Sequence, residues 1–159
     1  MSSSNPLQIV QLTKGNNHKL LTMLERLASS NESDWFKPHP FNIEFINKII
    51  SDRISDLYYV MERNNIVIGY GILRGWDEGY IIPSLGIAID KDFRGIGLGA
   101  LLIHFLHSAA RDRGSKHVRL RVSNSNVHAH NLYISMGYIF DDLINTDNNT
   151  LITGVKTLR

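Results

Sequence analysis

The stretch "DFRGIGLGALL", residues 92–102, decides the fold. Within it Gly95, Gly97 and Gly99 alternate with Ile96 and Leu98, and Ala100 follows. Read from Gly95, the stretch satisfies G-x-G-x-x-A, a dinucleotide fingerprint. Read from Arg94, it satisfies R-x-x-G-x-G, a loop that serves a different cofactor. Both readings place a pyrophosphate on backbone N–H groups at the start of a helix. The chain around the loop has to choose between them.

Three features count against the dinucleotide reading. Residues 90–94 separate the preceding strand from the first glycine, whereas a dinucleotide strand runs almost directly into it. An acid should stand about 20 positions on to hold a ribose hydroxyl, and that region offers Lys116, His117 and Arg119 instead. About 35 residues follow the fifth strand, too few for the second half of a doubly wound sheet. A P-loop is excluded because no G-x-x-x-x-G-K-[ST] occurs in the chain.

A length of 159 residues predicts one domain, 1–159, able to bury a core without a staple. The chain has no cysteine, which removes disulfides, thiolate zinc sites and a cysteine nucleophile. The balance of 17 basic and 15 acidic side chains is too even to argue for nucleic acid. No leader pattern and no apolar run of about 20 residues is visible, so a cytoplasmic protein away from membranes is expected. The basic residues cluster in "RDRGSKHVRLR", residues 111–121. That run reads either as a helix end plus a solvated strand face, or as attraction for an anionic cofactor or substrate.

Hydrophobic spacing gives the order of elements. "LQIVQL" (7–12) reads as a strand, and Leu20, Leu21, Leu24 and Leu27 mark an amphipathic helix. "NESDWFKPHPF" (31–41) is a loop, because its prolines cannot continue a helix. Asn42 is placed to cap a second helix with Ile43, Ile46, Ile49 and Ile50 on one face. Residues 56–75 form a hairpin around Asn64-Asn65. A fourth strand ends near Ile89, a helix runs from the glycine loop to Gly114, and "HVRLRV" (117–122) alternates strictly as a fifth strand. A last helix closes at Gly137, and two strands around "NTDNN" (145–149) finish the chain. The order β-α-α-β-β-β-α-β-α-β-β predicts a mixed α/β sheet, mostly antiparallel at its start.

At this point the chain resembles a known family. "IAIDKDFRGIGLGALL" (87–102) is similar to motif A of the GNAT acetyltransferases, whose Q/R-x-x-G-x-G/A loop binds the pyrophosphate of acetyl-coenzyme A. "NVHAHNLYISMGY" (126–138) resembles the family pattern N-x-x-A-x-x-L-Y-x-x-x-G-F/Y through Asn126, Ala129, Leu132, Tyr133, Gly137 and Tyr138. Two positions depart from the family: Lys91 stands where proline is common, and Ile96 where a basic residue is common.

The resemblance implies a GNAT-like fold with about seven strands, splayed between the fourth and fifth at a bulge on the fourth, and four helices. It implies acetyl-coenzyme A as co-substrate and no metal. The cofactor would lie on Arg94, Gly95, Gly97, Leu98, Gly99, Ala100, Asn126 and Tyr133 and on the backbone of Ile87 and Ile89. Gly86 and Ala88 would leave room for an acceptor. Tyr133 would be the general acid, since a phenol near pKa 10 can protonate a thiolate near 8.5. For the base, Glu78 and His39 are candidates, against the plainer readings of an exposed turn acid and a loop histidine. Trp35, Phe36, Phe41 and Trp76 either wall the acceptor pocket or pack the loop onto the core. The expected partner is a small-molecule amine (amino sugar, amino acid or polyamine) and the expected state a monomer or homodimer. Two alternatives stay open: acetylation of a protein N-terminus or lysine, and a non-catalytic acyl-coenzyme A-binding module.

Overall fold

The computed structural model describes residues 5–31, 35–141 and 151–159. Its elements follow the expected order: β1 (Gln8–Gln11), α1 (Asn17–Ala28), α2 (Ile43–Asp52), β2 (Leu57–Arg63), β3 (Ile66–Arg74), β4 (Ser84–Ile89), α3 (Leu98–Asp112), β5 (His117–Ser123), α4 (Val127–Ser135), β6 (Ile139–Phe140) and β7 (Leu151–Thr157). Two short 3₁₀ turns, Trp76–Glu78 and Lys91–Phe93, flank β4. The expected turn over 145–149 and the end of the sixth strand lie outside the described residues. None of the described helices is long and apolar enough to cross a membrane.

The seven described strands join one sheet in the order β1-β2-β3-β4-β5-β7-β6. Among the described strands only β4 and β5 are parallel, joined through α3, and their register holds a single Cα pair, Ser84↔Arg119. Beyond that pair the two strands part. The bulge expected on β4 is not there: β3 and β4 pair without a shift from Gly69↔Ile89 to Arg74↔Ser84. The irregularity lies one strand further in, between β2 and β3 at Met61/Glu62. Asn64 and Asn65 both take positive φ, 53° and 66°, which matches the tight turn that their side chains tolerate.

Each sheet face carries its own core. Beneath α3 and α4 lie Leu85 and Ile89 of β4 with Val118, Leu120 and Val122 of β5. Beneath α1 and α2 lie Val60, Tyr70, Ile72 and Ala88 with Leu20, Leu24 and Ile46. Leu102, Ile103 and Leu106 of α3 are fully buried, and truncating any one of them should cost about 2–5 kcal/mol. Asn42 caps α2 as expected, its side chain accepting from the Phe45 N–H at 2.8 Å.

Candidate active site

The divergence of β4 and β5 is the centre of a cleft of about 750 Å³. Its backbone geometry follows from one hydrogen bond. The Asp90 N–H donates to the Ile68 carbonyl at 2.8 Å, which makes Tyr70/Ala88 and Ile72/Gly86 the hydrogen-bonded pairs of β3 and β4. The backbone groups of Ile87 and Ile89 therefore point away from β3, toward the gap. The Ile89 carbonyl is already engaged there by Arg94 Nε at 3.0 Å.

The glycine loop closes one end. Gly95 and Gly97 take φ of 84° and 88°, and Gly97 is the N-cap of α3. A Cβ added at either would meet no heavy atom within 4 Å, so the backbone faces open space. With the N-terminus of a 15-residue helix at the same place, the loop has the backbone form and the dipole end that suit an anion. Its approach is pinned by α1: Arg26 pairs with Asp90 at 3.2 Å and Asp92 at 2.6 Å, and the Asp90 carboxylate accepts from the Asp92 N–H.

Helix α4 supplies the opposite wall. Asn126 caps it by accepting from the Ala129 N–H at 3.3 Å, and Tyr133, one helix face further on, lines the cleft while only 7% exposed. Burial pushes the Tyr133 hydroxyl above its ordinary pKa, so it keeps its proton at neutral pH. Its ring stands edge-on to Tyr138 at 5.6 Å. The Tyr138 hydroxyl lies 2.7 Å from His107 Nε2.

Of the residues singled out in the sequence, the cleft gathers Ile87, Ile89, Arg94, Gly95, Gly97, Leu98, Gly99, Ala100, Asn126 and Tyr133, together with Trp35 and Phe36. Trp35 Nε1 donates across to Ser125 Oγ at 3.2 Å. The Phe36 ring covers Gly86, 3.6 Å from where a Cβ would stand. Four others lie elsewhere. Phe41 packs on the core beneath α1 and α2. Trp76 packs under the Arg113 guanidinium, 5.6 Å from its ring centre. Glu78 is exposed in the turn before β4. His39 has both ring nitrogens in use, 2.8 Å from the Pro40 carbonyl and 2.8 Å from the Tyr70 hydroxyl. Burial first, then the charge of Arg74, holds its pKa below the ordinary histidine value. Arg121 and Ser125 also line the cleft. Strict alternation in "HVRLRV" put Arg121 on a polar face, but nothing local marked Ser125.

The chain matches the acetyltransferase (GNAT) family over residues 20–138. Among solved structures it is similar to a GNAT-family acetyltransferase from Streptococcus pneumoniae, with a TM-score of 0.77, 19% identity, and 97% of this chain and 100% of that one covered. It is similar to the ribosomal-protein-S18-alanine N-acetyltransferase from Escherichia coli, with a TM-score of 0.69, 19% identity, and 96% and 94% coverage. A chimeric spermidine N-acetyltransferase from Vibrio cholerae and hSSAT gives a TM-score of 0.75 at 19% identity, with 97% and 96% coverage. No curated protein matches the chain in sequence. The family match spans about three quarters of the chain and includes both β4–β5 strands, the glycine cradle and the tyrosine helix, so the protein is an acyltransferase of the GNAT acetyltransferase family.

Proposed function

We propose that the protein moves an acetyl group from acetyl-coenzyme A to the primary amine of a small molecule by direct attack within the cleft. The observation that carries this reading is the continuity of one cleft from the open glycine cradle to the protonated Tyr133. The residues present fit the cofactor: the positive-φ glycines carry no side chain into the open space beside the loop, which leaves room for a diphosphate against the backbone, and the unpaired edge of β4 can receive the pantetheine amides. Arg94, Gly95, Gly97, Leu98, Gly99 and Ala100 would hold the phosphates, and Ile87, the Ile89 N–H and Asn126 the arm. When bound, acetyl-coenzyme A supplies a thioester: the amine nitrogen gains the acetyl carbon, the C–S bond breaks, and the amine proton leaves as the thiolate is protonated.

Tyr133 Oη is the proton donor in this reading because the cleft presents a protonated phenol; burial makes that phenol a weaker acid, so the transfer depends on its position beside the leaving thiolate. Glu78 and His39 are not among the described residues that line the cleft, so in this reading the amine gives its proton to solvent in the open cleft. The indole bridge from Trp35 to Ser125 and the Phe36 ring over Gly86 narrow the acceptor side. That narrowing favours a small amine over a protein chain, although one structural neighbour acts on a ribosomal protein and another on spermidine.

Purified protein mixed with acetyl-coenzyme A and an amine panel should release free thiol in an amine-dependent way. Tyr133→Phe should lower kcat by roughly 10²-fold while the dissociation constant for coenzyme A stays within about threefold. Absence of thiol release with every amine would remove the enzymatic reading.

A further inference from the structure

The cleft has a second face whose chemistry the roles above leave unused. Because Val118, Leu120 and Val122 of β5 point into the core beneath α3, alternation sends Arg119 and Arg121 to the other face. Gly86 and Ala88 of β4 share that face with the Phe36 ring. Arg74, Ser84 and Arg119 form one lateral row across β3, β4 and β5, and Arg121 stands two residues further along, where the strands part.

These three arginines are not equivalent. Arg74 Nη1 donates to the Pro38 carbonyl at 2.5 Å. Arg119 lies over the Tyr80 ring, 5.0 Å from its centre. Arg121, the one that lines the cleft, has no ion pair or hydrogen bond among the described residues. Among the described residues that line the cleft, none carries a carboxylate that would neutralise it. A row of like charges beside a low-dielectric wall repels a polycation and draws an anion.

We infer that the acceptor is an amine that also bears a carboxylate, and that Arg121 is the specificity residue that holds it. A guanidinium meets a carboxylate with two parallel N–H donors, which fixes the orientation of the bound amine as well as its position. The aromatic surfaces of Trp35 and Phe36 give such an acceptor an apolar body to rest on, and Ser125 a polar rim. This rests on the acetyl-transfer reading, and narrows its acceptor to the class of α-amino acids and their close relatives.

The test pairs amino acids with their decarboxylated amines as acceptors of the full chain, with free thiol as readout. The carboxylate-bearing member should show at least about tenfold higher kcat/KM. Arg121→Gln should raise its KM roughly ten- to hundredfold with a smaller change in kcat, and leave the decarboxylated amine within about threefold. Arg121→Lys should keep part of the preference. The variant's melting temperature should equal that of the wild type, since the side chain is exposed. Equal rates for both members of each pair, or a preference for polyamines that Arg121→Gln does not alter, would overturn the inference and leave acetyl transfer standing. If no amine releases thiol, indole fluorescence decides the inference separately. Saturable quenching by the amino acids, lost in Arg121→Gln, supports it, and identical titrations with the decarboxylated amines overturn it.

Discussion

Gly97 holds a φ of +88° at the first turn of α3, with empty space where a Cβ would go. An alanine there meets no clash but must adopt a left-handed conformation, at about 1–2 kcal/mol. Gly97→Ala should therefore lower the melting temperature by only a few degrees. The same methyl would stand in the cradle, so coenzyme A affinity measured by calorimetry should fall by at least about tenfold. A variant that binds coenzyme A as the wild type does would place the phosphates elsewhere. This much was legible in the sequence, because glycine spacing reports backbone conformation directly. The partners of Trp35 and His39 were not. Ser125 lies 90 residues from Trp35, and Tyr70 lies 31 from His39, so only the folded sheet brings them together. That is why a histidine with a suitable ordinary pKa looked available as a base, when both its nitrogens are committed.

Helix α3 serves two ends of the molecule at once: its N-terminus faces the cleft, and its middle carries the buried His107 against Tyr138. Burial, then the charges of Lys156, Arg111 and His104, lowers the His107 pKa to about 4. The unfolded chain, with histidine near 6.5, takes up the proton first. Stability from neutral His107 is thus complete above pH 6.5 and declines as pH falls toward 4. Denaturant titration should find the wild type about 2 kcal/mol less stable at pH 5 than at pH 7 from this group. His39 adds a loss of the same sign. In His107→Gln the pH slope should flatten; an unchanged slope would assign the effect to other groups. Element order was the most legible level, since periodicity and the caps at Asn42 and Asn126 are local signals. The position of the sheet irregularity was not. A one-residue register shift between β2 and β3 depends on which strands pair, and nothing in "MERNNIVIGY" marks it.

For the molecule as a whole, the single register pair between β4 and β5 divides one sheet into two unequal halves, β1–β4 and β5-β7-β6. Amide exchange followed by NMR should report that division. The Ile87 and Ile89 N–H groups, turned to the gap, should exchange at least tenfold faster than those of Gly86 and Ala88, which are paired with β3. Coenzyme A should slow the first two and leave the second two alone; no slowing would remove the arm from β4. The parting of the strands has a further consequence for how the molecule meets other proteins. An unpaired strand edge is ordinarily a hazard, because any extended chain can add to it. Here that edge is in the interior of the sheet, walled by α3 and α4 and crossed by the indole of Trp35. In the proposed reading a slender ligand arm would use hydrogen bonds that a neighbouring molecule's strand is too broad to reach, an edge kept for binding and withheld from aggregation.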